Sequence, residues 1–129
     1  MALVKIETRK SWSAFQKKEI MGAVHTALIE ALKVPENDPK IRFKEYLPDD
    51  FQVSPDTTEN FILIEVSMFA GRSLQAKKEL YQSIIKNLGK LGVIASDVII
   101  VLNEIPLENW GIRGGIPASE VDLGFKVGV

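Results

Sequence analysis

Residues 13–19, Ser-Ala-Phe-Gln-Lys-Lys-Glu, and residues 73–79, Ser-Leu-Gln-Ala-Lys-Lys-Glu, are one phrase written twice, sixty positions apart. The likeness runs on from there. Val24 answers to Ile84, Leu28 to Leu88 and Ala31 to Leu91, and one residue is dropped before Asp38 meets Asp97 and Glu45 meets Glu104. A unit repeated at this length is one supersecondary block. Two blocks are too few for a solenoid, so they close on each other as one pseudo-symmetric domain spanning residues 1–129. A single active site then belongs wherever the two copies differ.

Outward from the phrase, the first repeat covers about residues 2–47. Ala2 to Thr8 reads as a strand with Val4 and Ile6 on one face and Leu3 and Lys5 on the other. Ser13 and Gln16 form a capping box, and Phe15, Ile20, Val24, Ala27, Leu28 and Ala31 follow at helical spacing until Pro35 forces an end near Val34. Ile41 to Leu47 is the second strand, and Asp49 to Thr58 the linker. The second repeat covers about residues 60–105. It has a strand from Phe61 to Phe69, a break at Gly71, a helix capped by Ser73 and stopped by Gly92, and a strand from Val98 to Leu102. Residues 106–117 read as a Gly-rich loop, and Phe125 to Val129 as a short terminal strand.

Two βαβ units with right-handed crossovers give an α+β fold, a four-stranded mixed sheet with both helices on one face. The other face is expected to carry Phe61 and Leu63 beside Val98, Ile100 and Leu102, with no helix to cover them. A patch of that kind predicts a symmetric homo-oligomer.

Composition narrows the functional classes. With 16 basic against 17 acidic side chains the chain carries no field to attract nucleic acid or an anionic membrane, so neither is expected as a partner. The absence of cysteine removes disulfides, thiolate nucleophiles and Cys-ligated zinc, and a lone His25 does not make a metal site. No cofactor is implied. No apolar run reaches membrane-spanning length and no secretory leader is evident, which leaves the cytoplasm as the expected location. The Lys17-Lys18-Glu19 run and its copy Lys77-Lys78-Glu79 read as wet helical faces, because they lack the aromatic interleaving of a nucleic-acid surface.

Several short pieces, in this order and spacing, carry a resemblance: Leu3-Val4-Lys5, Ala23-Val24-His25, Val34-Pro35-Glu36-Asn37-Asp38, Gly71-Arg72-Ser73 and Asn109-Trp110-Gly111. Together they resemble the tautomerase superfamily of 4-oxalocrotonate tautomerase-like proteins, and within it the long-chain branch that includes malonate semialdehyde decarboxylase. The resemblance implies a trimer of pseudo-symmetric protomers and an N-terminal proline, exposed by removal of the initiator methionine, acting as general base. Position 2 here is Ala2. A primary α-amine titrates near about 7.7–8.0 and is lowered by burial or a nearby cation, so an Ala2 amine still accepts a proton near neutrality. Retention of Met1 would move that amine outward by roughly 3.8 Å, beyond the roughly 2.6–3.2 Å reach of a general base.

The same resemblance makes Arg72 the carboxylate-binding residue and Asp38 the acid that assists the amine. Each has a plainer reading, Arg72 as a solvated arginine and Asp38 as a turn residue before Pro39. The branch has a further arginine two residues before the one matched by Arg72, where this chain has Ala70. Trp110 and Ile112 are candidates for an apolar wall over the substrate or for structural packing, and Arg113 for a second cation or a solvated one. His25 is a candidate substrate contact or a satisfied helix-edge histidine. The expected activity is keto-enol proton transfer on small 2-oxo or enol carboxylates. Decarboxylation or hydration of a 3-oxo acid, and a catalytically impaired trimeric binding protein, are the alternatives.

Overall fold

The computed structural model describes residues 2–129, so the expectation about Met1 lies outside the described residues. Chain order runs β1 (Ala2–Thr8), α1 (Ala14–Leu32), β2 (Ile41–Glu45), β3 (Ile62–Phe69), α2 (Leu74–Gly89) and β4 (Val98–Ile105). A short hairpin, β5 (Gly111–Ile112) and β6 (Ile116–Pro117), follows. The sheet order is β2-β1-β3-β4, with β1 parallel to β2, β3 parallel to β4, and the central β1/β3 pair antiparallel.

Strand register carries the repeat at residue level. Val4 pairs with Ile41, and sixty residues on Ile64 pairs with Ile100, which is the offset of 59 left by the dropped residue. Ala2 lies opposite Met68 while Thr8 lies opposite Ile62, so a local twofold axis passes between β1 and β3 and exchanges the copies. Both helices begin where the repeated serines stand. Ser13 and Gln16 make a complete capping box on α1, and the Ser73 side chain accepts from the Ala76 amide on α2. Satisfying an otherwise orphaned amide this way typically contributes about 1 kcal/mol.

The helices pack on each other and on one sheet face. Val4, Ile6, Ile64 and Val66 from the sheet and Ile20, Val24, Leu80 and Ile84 from the helices are buried in one cluster. The first lysine of each repeated run is half-buried: Lys17 forms an ion pair with Glu45 and Lys77 with Glu104, binding helix to strand at equivalent places. Only Lys18, Glu19, Lys78 and Glu79 form the wet face expected of both runs.

Three expectations are corrected. Val98, Ile100 and Leu102 pair with Ile62, Ile64 and Val66 and pack against the helix-side core, so the bare face carries Ile99 and Val101 instead. That face is also more polar than expected, since Lys5 stands opposite Glu65 in its centre. Phe125 to Val129 forms no strand, because Phe125 is taken up by stacking on Phe69. The 106–117 loop contains the β5/β6 hairpin, closed by the backbone bond from Ala118 to Trp110. Among the described residues no helix is long and apolar enough to cross a membrane.

Candidate active site

Parallel pairing brings the start of β1 beside the entry to β2, and antiparallel pairing brings it beside the exit of β3. Hence Ala2, Asp38 and Phe69 gather at one end of the sheet. The Val4 amide donates to the Lys40 carbonyl at 3.0 Å, fixing the Asp38–Lys40 segment against β1. Ala2 itself is 6% exposed and belongs to the main core.

At this end lies a cavity of about 360 Å³ lined by Pro35, Asn37, Asp38, Phe69, Ile112, Arg113, Leu123 and Phe125. Three of the expected residues, Asp38, Ile112 and Arg113, therefore meet on one cavity. The Asp38 carboxylate is ion-paired with Lys40. Arg113 stands at the tip of the β5/β6 hairpin with φ of +50°, followed by Gly114 and Gly115, both also at positive φ. That left-handed run turns the hairpin tightly and holds Arg113 at the cavity, where its Nη1 donates to the Asp122 carbonyl at 3.0 Å.

Arg72, expected to bind the carboxylate, does not line this cavity; its link to the cavity wall is a bond to the backbone of Phe69. Gly71, at φ of +126°, breaks the chain out of β3, and a Cβ there would stand 3.4 Å from the Val127 side chain. The turn delivers Arg72 to a buried position, 5% exposed, where its Nη1 donates to the Phe69 carbonyl at 3.0 Å. Its Nε and Nη2 are buried without a partner. Burial pushes the guanidinium pKa down, and the Glu104 carboxylate partly offsets this. Leaving a buried donor unmet typically costs about 1–3 kcal/mol, and more when the group is charged. Arg72 is thus a cation short of an acceptor, with the fork geometry that suits a carboxylate.

Trp110 is buried behind the wall. Its ring meets Phe69 edge-on at 4.9 Å and its Nε1 donates to the Ile105 carbonyl at 3.2 Å, so Phe69 is held between Trp110 and Phe125. His25 lies elsewhere. Its Nε2 is 2.8 Å from the Glu36 carbonyl, and it borders a different cavity with Met21, Gly22, Pro39 and Ile41. Sequence reasoning missed Pro35, Asn37, Phe69, Leu123 and Phe125 as lining residues. Pro35 and Asn37 stood in the stretch that carries the resemblance, and Phe69 ended the strand ahead of the Gly71 break. Among the described residues no three His, Asp or Glu side chains come together as metal ligands.

Comparison with known proteins bears on the family and the fold. A family model described as a tautomerase enzyme matches residues 38–113. The chain is 29% identical over 121 residues to a probable tautomerase of Bacillus subtilis (strain 168), YusQ, covering 89% of this chain and 95% of that protein. It is similar to FG41 malonate semialdehyde decarboxylase inhibited by 3-bromopropiolate, with a TM-score of 0.81 at 28% identity over 91% of this chain and 92% of that one. A fused 4-OT, solved as a wild-type symmetric trimer, has a TM-score of 0.80 over 91% of this chain and 96% of its own, and at 23% identity supports the fold alone.

Proposed function

This chain belongs to the tautomerase enzyme family, and from that premise we propose that it catalyses keto-enol proton transfer on small 2-oxo or enol carboxylates, a phenylenolpyruvate-type substrate among them. The observation that carries the reading is the buried Arg72 guanidinium with Nε and Nη2 unpartnered, one short turn beyond the strand that faces Ala2. A substrate carboxylate supplies the missing acceptor. The Ala2 amine, freed by loss of Met1, takes the proton from the enol oxygen side and returns it to carbon. Ile112 and Phe69, with Phe69 backed by Trp110, exclude water from the transfer. Arg113 contributes positive charge at the cavity. Alanine lacks the rigid ring of proline, so the amine rotates more freely and loses part of the advantage of fixed orientation.

The catalyst acts as a homotrimer. The helix-free sheet face, with Ile99 51% and Val101 39% exposed, supports this.

A second reading is favoured by Asp38 at the cavity: the carboxylate and the amine together decarboxylate or hydrate a 3-oxo acid. An Asp38→Asn variant that keeps full turnover of every substrate removes it. Ketonisation measured in the Ala2→Pro protein, with and without Arg72→Gln, tests the first reading. The double variant should lose most of its kcat/KM; equal rates refute the role given to Arg72. A trimer that binds 2-oxo acids without ketonising them, in both the Ala2 and Ala2→Pro forms, leaves the third alternative, a binding protein.

A further inference from the structure

The twofold axis that exchanges the repeats maps the active end of the sheet onto its opposite end, and that end also holds a cavity. It measures about 370 Å³ and is lined by Arg9, Lys10, Ser11, Pro48 and Glu59. Arg9, Lys10 and Ser11 leave β1 as Phe69, Ala70 and Gly71 leave β3, each triplet one residue short of the position that precedes a helix cap. We infer that this second cavity, lined by Arg9 and Lys10, is a binding site for a small monocarboxylate, distinct from the active site and without catalysis.

Charge argues for the ligand class. Neither Arg9 nor Lys10 has a carboxylate within ion-pair distance among the described residues. Arg9 donates through Nε to the Pro48 carbonyl at 3.1 Å, which fixes its planar head and leaves both Nη groups for a ligand. The Lys10 ammonium is held 4.8 Å above the Trp12 ring, a cation-π contact that orders it without neutralising it. The other charged group on this cavity, Glu59, leaves a net charge of plus one, which suits one carboxylate rather than a dianion. Trp12, the repeat counterpart of Arg72, likewise keeps a buried donor without a partner, its Nε1.

The same comparison explains why this end has no chemistry. Ala2 corresponds to Ile62, whose nitrogen is an ordinary peptide amide joined to Phe61, so the end has no amine to take a proton. Asp38 corresponds to Asp97, which is fully buried and bound to the Thr58 amide and hydroxyl, leaving no free carboxylate.

The inference is independent of the proposed activity and is tested on the folded, full-length protein by amide NMR during a pyruvate titration at constant ionic strength. Saturable shifts are expected at residues 9–11 and 59. They should persist in Arg72→Gln, weaken roughly tenfold in Lys10→Gln, and vanish in the Arg9→Gln/Lys10→Gln double variant, with ketonisation unchanged in both Lys10 forms. Shifts that fail to saturate, that survive the double variant, or that chloride reproduces at equal concentration overturn the inference.

Discussion

At the scale of single residues, the two copies are informative where they disagree. Position 12 is Trp12 and position 72 is Arg72, the same place before a helix cap filled by an aromatic ring in one copy and a cation in the other. A buried guanidinium with two unmet donors is kept at the expense of stability. Replacing it with a methionine of similar length should therefore raise Tm by a few degrees while removing carboxylate binding. A lower Tm for Arg72→Met would show that the guanidinium is satisfied by the fold. Arg72 and Asp38 were named through the resemblance carried by Gly71-Arg72-Ser73 and Val34-Pro35-Glu36-Asn37-Asp38, and Ile112 and Arg113 through the Gly-rich loop that follows Asn109-Trp110-Gly111. Of the two readings of His25, its ring turned to the Glu36 carbonyl matches the helix-edge one, since helical spacing fixes the side of a helix and not what faces it. An Ala substitution at His25 is expected to leave ketonisation unaltered, as steady-state kinetics will show.

At the scale of elements, the repeated phrase describes how a helix is started and tied down. Ser13 and Ser73 cap, and Lys17 and Lys77 reach Glu45 and Glu104 on the following strands. The Lys17 ammonium holds the Glu45 carboxyl below its ordinary pKa, so this pair contributes stability above the unfolded carboxyl pKa and loses it as pH falls through the lower, folded value. Glu45→Gln should therefore be less stable than the parent at neutral pH and show a shallower loss on acidification, measured by urea unfolding between neutral and acid pH. Parallel slopes in the two proteins would count against the pair. Ser13→Ala should cost about 1 kcal/mol in the same assay. The helices and four main strands were legible because periodicity and caps are local signals. The 121–129 segment was not, since Phe125 alternates like a strand residue and only the position of Phe69 decides that it stacks instead.

At the scale of the molecule, pseudo-symmetry allows the proposed amine and arginine to act without being mirrored, because Ala2 has Ile62 and Arg72 has Trp12 as its counterpart. The proposed trimer covers the bare face, so Val101→Lys should shift the sedimenting species from trimer to monomer; an unchanged trimer would place the interface elsewhere. The sequence-level identification of that face went wrong over β4 by one residue, and in a strand one residue inverts every side chain. The amine of Ala2 is the proposed proton carrier, and N-terminal acetylation removes it. With intact mass verifying loss of Met1, phenylenolpyruvate ketonisation should fall by about 10²- to 10⁴-fold on acetylation, the usual contribution of general acid-base transfer. Equal kcat/KM for the acetylated and free proteins would contradict it.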